Sequence, residues 1–168
     1  MKNTAIIIPS RLGAKRFPNK PLVKINEVPM IVHVLNRAKE SGAEDVFVAT
    51  PDNKIFQTVE QNGGKAILTR SDHTSGSDRV YEAYTKKIKN NVDLIINLQG
   101  DMPSIKPDSI SKLVKFMRNN KCDIGTLASN VIDKNDVIDP NIVKVETDQI
   151  LKEDAFLEAK DFFSIKKS

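Results

Sequence analysis

The most constraining feature of this chain is a repeated alternation. Short, strongly apolar runs are followed by amphipathic stretches of helical period. "TAIIIP" (Thr4–Pro9), "DVFVAT" (Asp45–Thr50), "KAILT" (Lys65–Thr69) and "DLIINLQGD" (Asp93–Asp101) have strand length and end in proline or polar turns. Between them, residues 30–41 place Met30, Ile31, Val34, Leu35 and Ala38 on one helical face, with Gly42 as a stop. Asp52 stands where it can cap a helix carrying Ile55, Phe56 and Val59 inward, and Gly63–Gly64 end that helix. Ser75 or Ser77 can cap a further helix running to about Lys89. Pro107 and Asp108 open another, with Asp108 as its cap and Ile110, Leu113, Val114 and Met117 on its inner face. "DIGTLAS" (Asp123–Ser129) and "IVKVET" (Ile142–Thr147) read as additional strands. Near-continuous apolar strands alternating with helices imply an α/β fold: an open, Rossmann-like, mostly parallel sheet with helices on both faces. In such sheets ligands lie beyond the C-terminal ends of the strands. That rule selects the loops after Pro9, Thr69 and Leu98.

The first of these loops carries a conspicuous charge. The net charge of the 168 residues is only +4, yet positions 1–24 hold Lys2, Arg11, Lys15, Arg16, Lys20 and Lys24 and no acid. Ordinary surface loops mix their signs, so a one-signed loop at a sheet mouth indicates a phosphate or polyanion site. Nucleic acid is disfavoured: there is no tryptophan, and aromatics make up 5% of the chain, which leaves few platforms for stacked bases. No apolar run has the length of a membrane span, and no secretory signal opens the chain. The single cysteine, Cys122, has no internal disulfide partner, which fits a reducing cytoplasm, and it is expected as a small buried hydrophobe at a strand entry.

Three loop segments carry the chemistry. Exposed backbone amides after Pro9, flanked by Arg11, Lys15, Arg16 and Lys20, can hold two or three phosphates. The loop has neither a Walker pattern nor GxGxxG. In "LTRSDHTSGSDR" (Leu68–Arg79), the small residues Ser75, Gly76 and Ser77 permit close approach of a ring, while Arg70, His73 and Arg79 add donors for a base or phosphate; the same residues also read as plain capping chemistry. In "NLQGDMP" (Asn97–Pro103), Gln99 faces the substrate side, and Asp101 follows a buried strand and a glycine, where its carboxylate can take a hard cation such as magnesium. No Ser-His or Cys-His pair is evident.

Taken together, Pro9, Arg11, Arg16, Pro18, Lys20, Pro21 and Leu22 resemble the P-A/S-R-x-x-S/T-K/R-L/F-P-x-K-x-L signature of sugar nucleotidyltransferases that activate acidic sugars with CTP. The nearest likeness is to the 3-deoxy-manno-octulosonate (KDO) cytidylyltransferase family. "NEVPMIVHVLNRAKESGAEDVFVATPD" (Asn26–Asp52), "HTSGSDR", "QGDMP" and "DPNIVKVETD" (Asp139–Asp148) are similar to further segments of that family. The departures are Ala14–Lys15 where a hydroxyl residue is usual, Asn19 for a glycine, and Met102 for a glutamate. Asparagine tolerates positive φ better than most residues, so the turn at Asn19 is expected to survive.

The resemblance implies a nucleotide-diphospho-sugar transferase fold and transfer of CMP from CTP to KDO in the cytoplasm, releasing pyrophosphate, for lipopolysaccharide synthesis. Arg11, Arg16 and Lys20 would hold the triphosphate. Arg70, His73, Ser75, Gly76, Arg79 and Gln99 would form the nucleotide pocket, and Asp101 would take magnesium, so that Arg11, Lys20 and Asp101 carry the catalysis. His33 reads as a packed helix histidine, and Lys144 equally as a site residue or a surface lysine. Residues 1–148 form the expected CTP-binding domain. Residues 149–168 are a tail, a helix packing Phe156, Phe162 and Phe163 or the start of a further sugar-binding and dimerisation segment. Longer family members are homodimers and carry there an HxGIY-like strand and a D-T-x-E-D-L motif with a second magnesium ligand. The alternatives are an inactive nucleotide-binding remnant and a CMP-sialate type of cytidylyltransferase.

Overall fold

A computed structural model describes residues 3–13, 17–88, 92–152 and 156–164. It divides into two compact units, Met1–Asp123 and Ile124–Ser168, a division earlier than the boundary at residue 148 drawn from the fading sequence pattern. Among the described residues no helix is long and apolar enough to cross a membrane.

The first unit is built on four parallel strands: β1 (Thr4–Pro9), β4 (Asp45–Thr50), β5 (Lys65–Leu68) and β6 (Leu94–Asn97), in the order β5-β4-β1-β6. A two-stranded antiparallel ribbon, β2 (Lys24–Ile25) and β3 (Val28–Pro29), leads into helix α1 (Met30–Glu40). Helices α2 (Asn53–Gln61), α3 (Gly76–Lys87) and α4 (Pro107–Asn119) follow β4, β5 and β6 in turn.

β1 explains why both faces are covered. Successive side chains on a strand point to opposite faces. Ile6 and Ile8 pack in one core with Ile31, Leu35, Ile55, Val59, Ile110 and Val114, from α1, α2 and α4. Ala5 and Ile7 join the other core with Val80 and Ala83 of α3. All four strand residues are fully buried, as an unbroken apolar run requires.

The strand order has a functional consequence. From β1 the chain builds outward through β4 to β5, then returns to place β6 on the other side of β1. β1 pairs in register with both neighbours, Ile6 lying opposite Val46 and Ile96. The loops after β1 and β6 leave from the point where the order reverses, which is where open α/β sheets form a crevice.

Several local expectations are corrected. Lys106, not Asp108, holds the N-cap position of α4; Asp108 sits in the first turn, suited to the helix dipole, and pairs with Lys112 at 3.3 Å. Residues Asp123–Ser129 form no strand, and Ile124 is 89% exposed. Cys122 is exposed, its Sγ 3.4 Å from Met117 Sδ, because the strand expected to bury it does not form.

The second unit contains a short helix, α5 (Lys134–Ile138), and an antiparallel pair, β7 (Lys144–Glu146) with β8 (Asp161–Phe163). The tail is therefore part strand rather than helix, with Phe162 opposite Val145. Cross-strand pairing overrides the amphipathic helical pattern. Lys144 is buried within its own unit, where its Nζ donates to the carbonyls of Asp139 and Ile142.

Candidate active site

The loop after β1 is tied down from three sides. Ser10 N–H donates to the Ala49 carbonyl at 2.9 Å, continuing the ladder past the strand. Leu12 N–H donates to Asp52 Oδ2 at 2.8 Å, forty positions away. Asn19 N–H donates to the Leu12 carbonyl at 3.2 Å. Asn19 has φ 58° and ψ 13°, the left-handed conformation anticipated for it, and a single 3-10 turn over Lys20–Leu22 follows with Pro21 buried. Asp52 was expected to cap α2. It holds the N-cap position, but its side chain makes no capping bond and reaches the neighbouring loop instead.

The loop after β5 is organised by Glu82. Its carboxylate accepts from Arg70 N–H (3.0 Å), from Lys86 Nζ (2.6 Å) and from His73 Nε2. Burial raises the pKa of this carboxyl, but the hydrogen bonds from Lys86, His73 and the Arg70 backbone outweigh it, and the pKa is pushed down to about 2. With Glu82 ionised, His73 Nε2 is a donor. Ser75 closes a reciprocal capping box with Asp78: Asp78 N–H donates to Ser75 Oγ at 3.1 Å, and Ser75 N–H donates to Asp78 Oδ2 at 3.2 Å. The Ser75 hydroxyl also holds the Asp78 carboxyl below its usual range. Of the two candidate caps, the structure uses Ser75.

Arg79, in the first turn of α3, is 2% exposed and donates from Nη1 to Thr69 Oγ1 (2.5 Å) and the Arg70 carbonyl (2.9 Å). Burial, and then the charge of Arg11, lower its pKa. Arg70 itself turns outward and pairs through two bonds, of 2.9 and 3.0 Å, with Asp72. The hydrogen bonding that Arg70 donates to Asp72 raises the Arg70 pKa and lowers that of Asp72.

The loop after β6 is anchored by Leu98 N–H donating to the Ile7 carbonyl at 3.1 Å. Gly100 approaches β1 so closely that a Cβ there would lie 2.9 Å from the Pro9 carbonyl oxygen. Asp101 Oδ2 accepts from Lys20 Nζ at 2.8 Å, joining the first loop to the third.

These loops enclose a cavity of about 260 Å³. The first loop contributes Ser10, Arg11, Lys20 and Pro21 to its wall, the second His73, Ser75, Gly76 and Arg79, and the third Gln99, Gly100 and Asp101. Of the residues singled out from sequence, Arg11, Lys20, His73, Ser75, Gly76, Arg79, Gln99 and Asp101 thus meet around one space. Arg70 is not among the residues lining it; its guanidinium is paired with Asp72 and its backbone N–H with Glu82. Arg16 lies outside the described residues. His33 is a packing residue, with Nε2 2.8 Å from the Ile25 carbonyl. Sequence reasoning overlooked Ser10, Gly100 and the use made of Asp52. The available signal was position: each stands within three residues of the C-terminal end of a strand.

Chemically, the cavity offers three guanidinium or ammonium groups and the N-terminus of the 12-residue helix α3. Both favour an anion. A lone carboxylate, Asp101, faces it beside Lys20. Among the described residues no three His, Cys, Asp or Glu side chains cluster to hold a metal by themselves.

Comparison with known proteins follows the same direction. The cytidylyltransferase family pattern matches residues 5–168. A 3-deoxy-manno-octulosonate cytidylyltransferase of Thermodesulfovibrio yellowstonii is 47% identical over 152 residues, covering 87% of this chain and 60% of the relative. One from Nitrobacter winogradskyi is 45% identical over 142 residues, covering 84% and 56%. The solved structure of a CMP:2-keto-3-deoxy-manno-octonic acid synthetase complexed with CTP superposes with a TM-score of 0.78 at 36% identity, over 95% of this chain and 63% of that one. The chain spans about 60% of the length of the first of these curated relatives.

Proposed function

The chain belongs to the cytidylyltransferase family, and from that premise we propose that it binds CTP in the cavity at the mouth of its sheet and transfers CMP to 3-deoxy-manno-octulosonate, releasing pyrophosphate. The observation that carries this reading is the convergence of Arg11, Lys20 and Arg79 with the N-terminus of α3 on one cavity at the reversal of strand order.

In this reading Arg11 and Lys20 hold the triphosphate, together with Arg16. Ser75 and Gly76, at the start of α3, and Arg79, His73 and Gln99 hold the nucleoside side. The anomeric hydroxyl of the sugar acid attacks the α-phosphorus in line, and pyrophosphate leaves. No covalent protein intermediate is involved. The protein contributes positioning and charge complementarity toward a polyanionic transition state. Arg79 is preorganised for this, since its bonds to Thr69 Oγ1 and the Arg70 carbonyl hold the guanidinium in place.

A divalent cation fits the donor set. Magnesium is commonly held by one or two carboxylates with the remaining positions filled by substrate phosphates and water. Asp101, half-exposed at the cavity wall, is the carboxylate that would hold it, and the cation would supply neutralisation of phosphate charge. Lys20 Nζ donates to the same carboxylate at 2.8 Å.

Pyrophosphate release measured with CTP, KDO and magnesium tests the proposal. Release dependent on all three is expected. CTP binding without release would replace the reading with that of a nucleotide-binding protein, and no CTP binding would overturn it altogether.

A further inference from the structure

The hydroxyl of Ser10 is a buried side-chain oxygen with no hydrogen-bond partner. Ser10 is 7% exposed and belongs to the wall of the cavity, immediately before Arg11. Its backbone N–H is already committed to the Ala49 carbonyl at 2.9 Å. Buried hydroxyls are nearly always paired, because withdrawing one from water without a partner costs free energy. An exception at a ligand cavity has a direct explanation: the partner arrives with the ligand.

We propose that Ser10 is a further binding residue of this cavity, whose hydroxyl takes its hydrogen-bond partner from the bound nucleotide. This rests on the nucleotide reading of the cavity. A serine hydroxyl both donates and accepts, and it turns about one torsion between staggered wells. It therefore serves a phosphate oxygen by donating, or a base or ribose group by either role. The free protein carries the unpaired group as a small cost that binding relieves.

The test is Ser10→Ala, with two readouts expected to move in opposite senses. The thermal midpoint of the free variant rises slightly, because the unpaired hydroxyl is gone. Its dissociation constant for CTP rises roughly three- to tenfold, the range for one neutral hydrogen bond. A structural role for the hydroxyl would lower the midpoint, and that result overturns the proposal. So does an unchanged CTP dissociation constant in a variant compared with wild-type protein that binds CTP. Failure of the wild-type protein to bind CTP sinks the nucleotide reading and this inference with it, and so is told apart from failure of Ser10 alone. Repeating the titration with cytidine locates the partner: a defect for both ligands puts it on the nucleoside, and a defect for CTP alone puts it on the phosphates.

Discussion

Replacing Asp52 with alanine isolates the contact that holds the first loop against the turn between β4 and α2. Asp52 Oδ2 accepts the Leu12 N–H at 2.8 Å, and the carboxylate makes no capping bond to its own helix. Removing it leaves Leu12 N–H without that acceptor, one residue after Arg11. Hydrogen bonds to charged groups are worth about 1.5–3 kcal/mol, and the half-buried position favours the lower end. If most of this free energy orders the loop, the CTP dissociation constant rises about tenfold, since each 1.4 kcal/mol or so is a factor of ten. The assay is calorimetric titration with CTP, alongside thermal unfolding of the free protein, for Asp52→Ala and Asp52→Asn. Asparagine retains an acceptor oxygen without the charge, so that variant is expected to bind within roughly threefold of wild type. If Asp52→Ala loses stability but binds CTP as wild type does, the residue does not position the loop. If Asp52→Asn is as impaired as Asp52→Ala, the carboxylate charge and not the hydrogen bond is responsible.

Three other perturbations follow from the same geometry. Lys20→Ala breaks an ion pair whose side chains are 36% and 54% exposed, so it should cost no more than about 1 kcal/mol of stability while weakening CTP binding by an order of magnitude or more; a matched loss in both measurements would argue against a phosphate role. Gly100→Ala places a Cβ 2.9 Å from the Pro9 carbonyl oxygen, and the required shift of backbone should cost about 1–3 kcal/mol and deform the cavity; a wild-type melting curve and CTP affinity would refute that close approach. The Glu82 carboxyl has its pKa lowered from 4.5 to about 2, so its contribution is fully present above about pH 4.5 and is lost as the pH falls toward 2. Glu82→Gln should flatten that part of the acid-unfolding profile, and an unaltered profile would show that the carboxylate does not tie the loop.

Much of the architecture was legible because burial leaves a local imprint. The isoleucines of β1 announce a strand covered on both faces, and Ile6 and Ile7 do go to different cores. The capping role of Ser75 and the left-handed Asn19 are properties of a few consecutive residues, so sequence determines them nearly unaided. The loops chosen as ligand-bearing follow from strand polarity alone. Where local pattern lacked a partner it misled: "DIGTLAS" has strand composition, but among the described residues no strand pairs with it, and Cys122 stays exposed as a result. Part of the tail, Asp161–Phe163, pairs as a strand, where its amphipathic pattern left a helix or the start of a further segment open.

What tertiary structure alone decided is which distant groups meet. Strand order β5-β4-β1-β6 is a long-range choice that periodicity does not encode, and it sets the loop after β6 beside the loop after β1. Only then do Lys20 and Asp101, eighty-one positions apart, come within 2.8 Å, and Asp52 turn from an expected helix cap into an anchor for Leu12. The orphaned Ser10 hydroxyl is of the same kind: its residue type is plain in the sequence, but its lack of a partner is a property of everything packed around it. Sequence thus determined the strands and helices of the first unit and the kinds of residue their loops carry. The packing of the sheet determined which side chains face one another, because hydrogen bonds and ion pairs between separate loops depend on positions that no single stretch of chain specifies.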